Sequence, residues 1–471
     1  MNPHYKETTF KIKKQVSPVM SHFLNSTLTN LSSQLQNGTT DPVCVVSDAL
    51  ERAENHPNAF ITFQGKEALI EAKKAKQRWG KGAPLSPYDG IPIVWKDMFD
   101  LAGTVTTAGS KRLQAKNIIA VKDADVIVNT KKFGLISLAK SNLSELAYSG
   151  LGLNPHFGTP TAVSDGDVAY VPGGSSSGSA IAVQRGVVAA AVGTDTAGSI
   201  RVPAAFNGLV GYKGSPKRYS MNGVFPLAPS FDCLGTICRT AIDSILLDAM
   251  MRGYPCEIPS KPRTPPRFVI ETAILDNSDM SKEVRVQFMK FVDLIKSAGA
   301  QVDRQQLTFI DHTCKAIEDY GWLGAAESAA LHRDLVLNNH EMPIDPNVVA
   351  RFKQALAMEE CARNQLTKIR SDLIANSKLE LDGRILIMPT VLQAPPRLKD
   401  VQASQHKFME ANQKALALTK IGSFLKMPCI ATPTGFENND APNSVSLSSW
   451  EHDDDSVLKA GLWAEQALNS P

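Results

Sequence analysis

The sequence predicts an α/β fold in which helices cover both faces of a mixed or parallel sheet. Between residues 80 and 250, short apolar runs alternate with glycine-rich turns and helical segments, and a strand–helix–strand unit follows at 268–302. Strands that alternate with helices are typical of sheets buried on both faces. The 471 residues are 43% hydrophobic and 21% charged, a globular composition with enough length for one large domain or two ordinary ones.

The first part of the chain is predicted to be helical. Over residues 16–55, apolar side chains recur at steps of three and four, the spacing of a helix with one buried face; they are Met20, Phe23, Leu28, Leu31, Val45, Val46 and Leu50. Asn37-Gly38 ends the first helix, and another helical stretch rich in Ala, Lys and Glu follows at about 66–78. We therefore expect residues 1–80 to form an N-terminal helical segment that packs on the core.

Short apolar runs in the rest of the chain are predicted to be buried strands. The first four run from Ile91 to Trp95, Leu135 to Ala139, Val187 to Val192 and Leu209 to Tyr212. A stretch with five prolines at 254–267 is the best linker candidate. The elements predicted after it are a strand at 268–270, a helix at 282–297, a strand at 300–302, helices over 312–376, a strand at 385–388 and a further helix before residues 428–431.

Charge and cysteine content exclude several classes of protein. The formal charge is 50 minus 47, or +3, which provides no basic field for nucleic acid. Seven cysteines without a C-x-x-C pair predict reduced thiols, and no apolar run approaches the roughly 20 residues of a membrane span. The N-terminus lacks the apolar core of a secretory signal, so we expect a cytoplasmic protein without metal or cofactor. The run Asp453–Asp455 is predicted to be a solvated loop.

The segment 173–201 is the most unusual part of the sequence. It contains GGSSSGSA at 173–180 and GTDTAGSIR at 193–201. Glycine permits close backbone approach, serine supplies hydroxyls, and successive N–H groups in such turns stabilise a phosphate or the oxyanion of acyl transfer. Composition alone also allows two flexible loops. A phosphate-binding loop would need G-x-x-x-x-G-K-[ST], which does not occur.

Two kinds of serine hydrolase fit these residues. A nucleophile elbow, G-x-S-x-G, matches 174–178 with Ser176 at its centre, but it requires a histidine partner; the downstream candidates are His312, His332, His340, His406 and His452. The other kind uses lysine as base, and such a lysine must be neutral. Lys96 is the natural candidate because the apolar run 90–95 delivers it from a predicted strand.

Three segments together resemble the amidase signature family. GIPIVWKD at 90–97, followed by TTAGS at 106–110, is similar to the lysine segment of that family, and residues 173–180 and 193–201 are similar to its two serine segments. The two key serines are 199 minus 175, or 24, residues apart, which is the family spacing. Weaker similarity continues through 204–211, 389–390 and 433–435.

The resemblance implies a fold and a catalytic mechanism. The family fold is a single α/β/α domain with a large central mixed sheet surrounded by helices, so 81–471 is expected to be one continuous catalytic domain with an excursion near 254–267. Ser199 would attack the amide carbonyl and form an acyl-enzyme. Ser175, preceded by a cis peptide in this family, would pass the proton between Ser199 and the base Lys96.

The resemblance also implies the groups that support catalysis. The backbone N–H groups of Thr196, Ala197, Gly198 and Ser199 would form the oxyanion hole, and Asp195 and Arg201 would brace the loop. This chain departs from the family at position 197, where the family has Gly, and over 161–164, where relatives have Asn-Pro. A Cβ costs roughly 1 kcal/mol where φ is positive, and the second loop is expected to border the substrate entrance.

The leading function is hydrolysis of a small carboxamide to a carboxylate and ammonia. The alternative is the amide-hydrolysing component of an aminoacyl-tRNA amidotransferase, which uses glutamine and needs a protein partner; residues 223–227 look more like stand-alone amidases. A catalytically inactive binding protein is a third hypothesis, disfavoured because all three reactive side chains are present. We expect a small-molecule amide as substrate, no direct contact with nucleic acid or membrane, and, by analogy with relatives, a homodimer.

Overall fold

The fold was determined as a computed structural model that describes residues 25–162, 168–260, 262, 264–338, 341–435 and 443–469. In this part of the chain, helices surround one 11-stranded mixed sheet, which confirms the predicted fold class. The strands are β1 (Phe60–Phe63), β2 (Pro92–Lys96), β3 (Ile136–Ser141), β4 (Ala190–Asp195), β5 (Val210–Lys213), β6 (Cys233–Cys238), β7 (Phe268–Glu271), β8 (Val302–Gln305), β9 (Ile385–Pro389), β10 (Cys429–Pro433) and β11 (Ser444–Ser448).

The helices occupy the two faces of the sheet and its ends. They are α1 (Leu28–Gln36), α2 (Pro42–Glu54), α3 (Gly65–Gly80), α4 (Lys111–Lys116), α5 (Asp125–Lys131), α6 (Ser177–Gln184), α7 (Arg201–Phe206), α8 (Ala241–Arg252), α9 (Thr272–Leu275), α10 (Lys282–Ser297), α11 (Thr308–Tyr320), α12 (Leu323–Leu331), α13 (Arg333–Leu337), α14 (Pro346–Leu356), α15 (Glu360–Leu381), α16 (Leu398–Val401), α17 (Gln405–Phe424) and α18 (Asp454–Leu468). Among them, none is long and apolar enough to cross a membrane.

The order of strands in the sheet is β1-β3-β2-β4-β6-β5-β10-β11-β9-β7-β8. Parallel pairs join β2 to β3 and β4, and β7 to β8 and β9, whereas the remaining neighbours are antiparallel. Since β2 and β4 are parallel neighbours, with Val94 opposite Ala191, their carboxyl ends lie at one edge of the sheet. Lys96 ends β2 and Asp195 ends β4, so the fold brings the lysine segment and the second serine segment together.

The N-terminal helices form where the apolar spacing predicted them, although Met20 and Phe23 lie outside the described residues. Asn37 and Gly38 end α1, and Asp41 caps α2 by accepting the N–H groups of its first turn. The segment before residue 80 also supplies β1, which pairs with β3 at the edge of the sheet and which the sequence did not predict. The division of the chain at residue 80 stays a prediction.

The described part of the proline-rich stretch at 254–267 is a loop with exposed side chains, whereas the acidic run at 453–455 is partly buried. The described residues of 254–267 form neither helix nor strand, and Tyr254 and Ile258 are exposed. The prediction of a solvated loop at 453–455 is wrong for Asp454, which begins α18 and is buried. Its carboxylate accepts hydrogen bonds from the Tyr212 hydroxyl at 2.6 Å and the Ser215 N–H at 2.8 Å, so this charge ties α18 to the sheet.

Candidate active site

Lys96 ends β2 inside the protein and contacts two hydroxyl groups. Its Nζ lies 2.6 Å from Ser175 Oγ and 2.7 Å from Thr194 Oγ1, and the side chain is fully buried. Burial lowers the pKa of Lys96 to about 7, although the carboxylates of Asp195 and Asp232 act in the opposite direction. Because desolvation disfavours the charged form of an amine, a substantial fraction of Lys96 is neutral at pH 7 and able to accept a proton.

In the part of the chain that the structure describes, two other lysines are as buried as Lys96, and their surroundings are different. Lys140 Nζ lies 2.6 Å from the Asp97 carboxylate, and Lys213 Nζ donates to the Met427 carbonyl at 2.7 Å. Among the described residues, no carboxylate forms an ion pair with Lys96. Lys96 is therefore the buried lysine whose amine faces hydroxyl groups rather than a permanent anion, as a proton acceptor requires.

Ser175 lies in the turn that leads into α6. Its peptide bond with Gly174 is cis, the feature that the family resemblance implied. The carbonyl of Ser175 accepts hydrogen bonds from the N–H groups of Ser144 at 3.2 Å and Ser177 at 2.9 Å. These bonds fix the main chain on both sides of the turn, and the Ser175 hydroxyl is held against the Lys96 amine.

Ser176, the centre of the G-x-S-x-G match, occupies a different environment. Its side chain is fully buried and its hydroxyl lies 3.4 Å from the Thr194 carbonyl, while its N–H donates to the Ser199 carbonyl at 3.2 Å. Within the described residues, which do not include His340, no histidine forms a hydrogen bond with Ser176. The base that a nucleophile elbow needs is missing from its described surroundings, and Ser176 serves instead to join the two serine segments.

Ser199 lies in the turn between β4 and α7, at the wall of a cleft. None of the hydrogen bonds within the described part of the chain uses a backbone N–H of residues 196–199 as donor. Gly198 has a φ of 144°, and a Cβ there would clash with the hydroxyl of Thr419, which donates to the Ala197 carbonyl at 2.7 Å. The turn therefore combines a fixed backbone with unused N–H donors, which is the requirement of an oxyanion hole.

The buried ion pair between Asp195 and Arg201 holds this turn in place. Arg201 donates to both oxygens of Asp195, at 3.0 and 2.9 Å, and both side chains are buried. The Asp195 carboxylate also accepts the Ile200 N–H at 3.1 Å, and Arg201 donates to the Ser423 hydroxyl at 2.7 Å. The positive charge of Arg201 outweighs burial and holds the pKa of Asp195 near 2. The pair thus ties the loop that carries Ser199 to α17.

Removing Arg201 should destabilise the protein strongly. An Arg201→Ala variant leaves Asp195 as an unpaired buried charge, so we expect its free energy of unfolding to fall by about 3–5 kcal/mol. Urea denaturation of the variant and of Lys74→Ala, whose exposed pair with Glu71 should contribute less than about 1 kcal/mol, measures the difference. Equal stabilities of the two variants would show that the buried pair does not brace the loop.

The cleft next to Ser199 has an empty volume of about 380 Å³, which includes the open solvent at its mouth. Small and apolar side chains form most of its wall, together with a few polar groups: Ala147, Tyr148, Ser149, Thr196, Ala197, Ser199, Leu227, Trp322, Gly324, Ala325, Arg351 and Leu416. Elements that are far apart in sequence meet here, namely the turn after β4, α12, α14 and α17. In the described residues, no group of three or more His, Cys, Asp or Glu side chains is arranged to hold a metal ion.

The chain is similar to a known enzyme family over most of its length. The sequence model of the family described as Amidase matches residues 44–458. The chain belongs to the amidase family. It is therefore a member of a family of hydrolases that act on amides, and the resemblance stated from the sequence is confirmed.

The similarity between this amidase and individual relatives extends over most of both chains. The amidase is 31% identical over 406 residues to 2-amino-5-chloromuconic acid deaminase from Comamonas testosteroni, covering 84% of this chain and 85% of that protein. It is 26% identical over 496 residues to the A subunit of glutamyl-tRNA(Gln) amidotransferase from Orientia tsutsugamushi, covering 96% and 98%. A crystal structure described as an amidase superimposes with a TM-score of 0.82 at 28% identity, covering 94% and 99%.

The two departures from the family pattern have different outcomes. Ala197 keeps a negative φ, and the neighbouring Gly198 takes the positive one, so the Cβ of Ala197 carries no backbone strain. In the second departure, Thr161 and Ala162 are described, whereas Val163 and Ser164 lie outside the described residues.

Several residues of this amidase site were missed from the sequence. Thr194 supplies the second hydroxyl at Lys96, and Asp232 accepts the Thr196 hydroxyl at 2.6 Å. Arg351 lines the cleft from α14, 152 residues beyond Ser199. The sequence offered a signal for Thr194 alone, because it lies within the motif 193–201; the others reach the site through long-range folding.

Proposed function

We propose that this amidase hydrolyses a small carboxamide to a carboxylate and ammonia through an acyl-enzyme on Ser199. The observation that carries the proposal is the buried Lys96 amine, 2.6 Å from the Ser175 hydroxyl and free of a carboxylate partner in the described part of the chain. A base of this kind accepts a proton at neutral pH only because burial has lowered its pKa. Lys96, Ser175 and Ser199 then act as base, relay and nucleophile.

The reaction proceeds in two halves. In the first, Ser199 Oγ attacks the amide carbon while its proton passes to Ser175, and the proton of Ser175 passes to Lys96. The carbonyl oxygen gains the negative charge, which the N–H groups of Thr196, Ala197 and Gly198 stabilise. Return of the proton through Ser175 to the amide nitrogen allows ammonia to leave, and the acyl group stays on Ser199.

In the second half, water replaces the Ser199 hydroxyl as the group that loses a proton. Water attacks the ester carbon, its proton moves through Ser175 to Lys96, and the returning proton restores the Ser199 hydroxyl as the carboxylic acid leaves. The acid then loses its proton to solvent and becomes the carboxylate. Asp195 and Arg201 take no proton in either half; they hold the oxyanion loop in place. Each proton that Lys96 accepts is returned within the same half-reaction, so the enzyme is unchanged after one turnover.

The relatives support amide hydrolysis and leave two candidate functions, a stand-alone amidase and the amide-hydrolysing component of an amidotransferase. One relative is named as a deaminase of 2-amino-5-chloromuconic acid, and another as the A subunit of an amidotransferase. A stand-alone amidase would need only this chain, whereas the amidotransferase alternative needs a partner and glutamine. Residues 223–227, which look more like stand-alone amidases, favour the stand-alone version, and the homodimer expected from the sequence stays a prediction.

Ammonia release by the purified chain alone tests this function. Short aliphatic amides, aryl amides, ureido compounds and glutamine are incubated with the wild type, with Ser199→Ala as the background. We expect turnover of at least one small amide without any added protein. Release from glutamine alone, and only after addition of the other amidotransferase components, would replace the proposal by the alternative.

The rate should rise with pH as Lys96 loses its proton. Because burial lowers the pKa of Lys96 to about 7, the neutral, reactive amine is the minor form below pH 7 and the major form above it. We expect kcat/KM to fall about tenfold for each pH unit below 7 and to level off above about pH 8. Steady-state kinetics from about pH 5 to pH 9, with circular dichroism at each pH as the control for folding, measures this. A flat profile would contradict lysine as the base.

A further inference from the structure

The cleft beside Ser199 has a positively charged side that the proposed mechanism does not use. Arg351, on α14, lines the cleft together with Ser199. One guanidinium nitrogen donates to the Tyr148 carbonyl, and the guanidinium carbon lies 4.8 Å from the centre of the Tyr148 ring. Both partners are neutral, so the positive charge of Arg351 is not compensated by them.

Lys420 adds a second positive charge to the same region. It lies on α17 and is partly buried, with Nζ 5.8 Å from the centre of the Trp322 ring, which also lines the cleft. Burial first, and the positive charge of Arg351 second, lower the pKa of Lys420 to about 8. Arg351 and Lys420 are therefore close enough for their positive charges to repel each other.

No partner in the described residues offsets these charges. Neither Arg351 nor Lys420 forms an ion pair there, and Lys420 Nζ donates no hydrogen bond, whereas the Arg351 guanidinium has the Tyr148 carbonyl as its acceptor. Other buried cations of the same protein are satisfied: Arg201 has the Asp195 carboxylate, and Arg112 donates to three main-chain carbonyls, at 2.6 to 3.1 Å. Arg351 thus has one main-chain acceptor where Arg112 has three, and the described residues offer none to Lys420 Nζ. A carboxylate in the cleft would supply the anion that Arg351 and Lys420 both lack.

We propose that Arg351 and Lys420 form a carboxylate-binding subsite, and that the substrate is a monoamide of a small dicarboxylic acid. This inference rests on the proposed hydrolysis at Ser199 and specifies its substrate class. An arginine fork and an ammonium bind a carboxylate by charge-assisted hydrogen bonds. The apolar wall formed by Ala147, Leu227 and Leu416 suits the carbon chain that separates the carboxylate from the amide.

Matched pairs of substrates test the subsite. The monoamides of malonic, succinic and glutaric acid are compared with propionamide, butyramide and valeramide, which have the same chain lengths without the carboxylate. We expect kcat/KM for the best carboxylated amide to exceed that of its neutral counterpart by about 10- to 100-fold. Added succinate should inhibit competitively, and butyrate should inhibit less.

Variants assign the preference to the two cations. Arg351→Met and Lys420→Met should each lower the ratio of kcat/KM for the carboxylated amide to kcat/KM for its neutral counterpart by about tenfold or more, mainly through the KM of the carboxylated amide. Arg351→Lys should recover part of the loss. Lys414→Met, in the same helix and already paired with Glu410, is the matched control and should behave as the wild type; thermal unfolding of every variant monitors folding.

The outcomes separate this inference from the function on which it rests. Equal turnover of both substrate series, unchanged in Arg351→Met and Lys420→Met, would overturn the carboxylate subsite and leave the hydrolase intact. Turnover of neither series by the wild type, together with no effect of Ser199→Ala on any amide, would overturn the proposed function itself. If Arg351→Met does not fold, the Lys420→Met variant and the inhibition by succinate decide the question.

Discussion

Replacing Ser199 by alanine should reduce kcat for amide hydrolysis by about 10⁴-fold or more. The variant lacks the hydroxyl that forms the acyl-enzyme in the proposed mechanism, and loss of a nucleophile in a serine hydrolase has an effect of this order. The oxyanion turn and the Asp195–Arg201 pair do not depend on this hydroxyl, so the free energy of unfolding should stay within about 1 kcal/mol of the wild type. Ammonia release under single-turnover and steady-state conditions measures the loss.

Ser176→Ala is the matched control for this experiment. Ser176 is also a buried serine of the glycine-rich segments, but its hydroxyl faces the Thr194 carbonyl rather than the Lys96 amine. We expect its kcat to stay within about tenfold of the wild type, because only one neutral hydrogen bond is removed. The reverse pattern, an active Ser199→Ala and an inactive Ser176→Ala, would move the nucleophile to Ser176.

Replacing Lys96 by methionine should abolish activity and leave the fold stable. Methionine has a similar length and no amine, so the relay through Ser175 loses its acceptor and kcat should fall by about 10³-fold or more. The Ser175 and Thr194 hydroxyls lose one hydrogen bond each, while the desolvation of an amine is relieved. We therefore expect the free energy of unfolding to change by less than about 2 kcal/mol in urea denaturation.

Lys140→Met is the comparison variant for stability, because Lys140 is a buried lysine that pairs with a carboxylate. Its removal leaves the buried Asp97 carboxylate without the amine that now lies 2.6 Å away, so we expect destabilisation by about 3–5 kcal/mol. A Lys96→Met variant that was as unstable as Lys140→Met and retained much of its activity would assign Lys96 a structural role.

Much of the fold could be predicted because its central strands are continuous apolar runs. The strands that contain Val94, Leu138 and Ile387 are buried on both faces, and such strands show no polar alternation to confuse the pattern. The helix predicted at 282–297 has the predicted bounds, since its buried stripe recurs every three to four residues.

Other strands carry no such signal. The strand β6 reads CLGTIC and β11 reads SVSLS, so small and polar residues interrupt the apolar run that marks a buried strand. They are nevertheless buried, because each lies between two neighbours in the sheet. Their place follows from the pairing of distant segments, which local composition does not encode.

For the candidate site, sequence reasoning found the segments and the structure supplies their contacts. The glycine- and serine-rich stretches suggested acyl-transfer chemistry, but only the family resemblance distinguished Ser199 from Ser176 as nucleophile. Thr194 and the cations Arg351 and Lys420 came from the structure, since their relevance depends on which helices and strands meet at the cleft.

Labelling with a fluorophosphonate, which modifies activated serines, identifies the serine that becomes acylated. The probe is reacted with the wild type and with Lys96→Met at about pH 8, where the lysine of the wild type is mostly neutral, and the labelled peptide is identified by tandem mass spectrometry. We expect one adduct, on Ser199, formed at least about 100-fold more slowly in Lys96→Met because the base is absent. An adduct on Ser176, or equal labelling rates in the two proteins, would contradict the assignment of Ser199 as nucleophile and Lys96 as base.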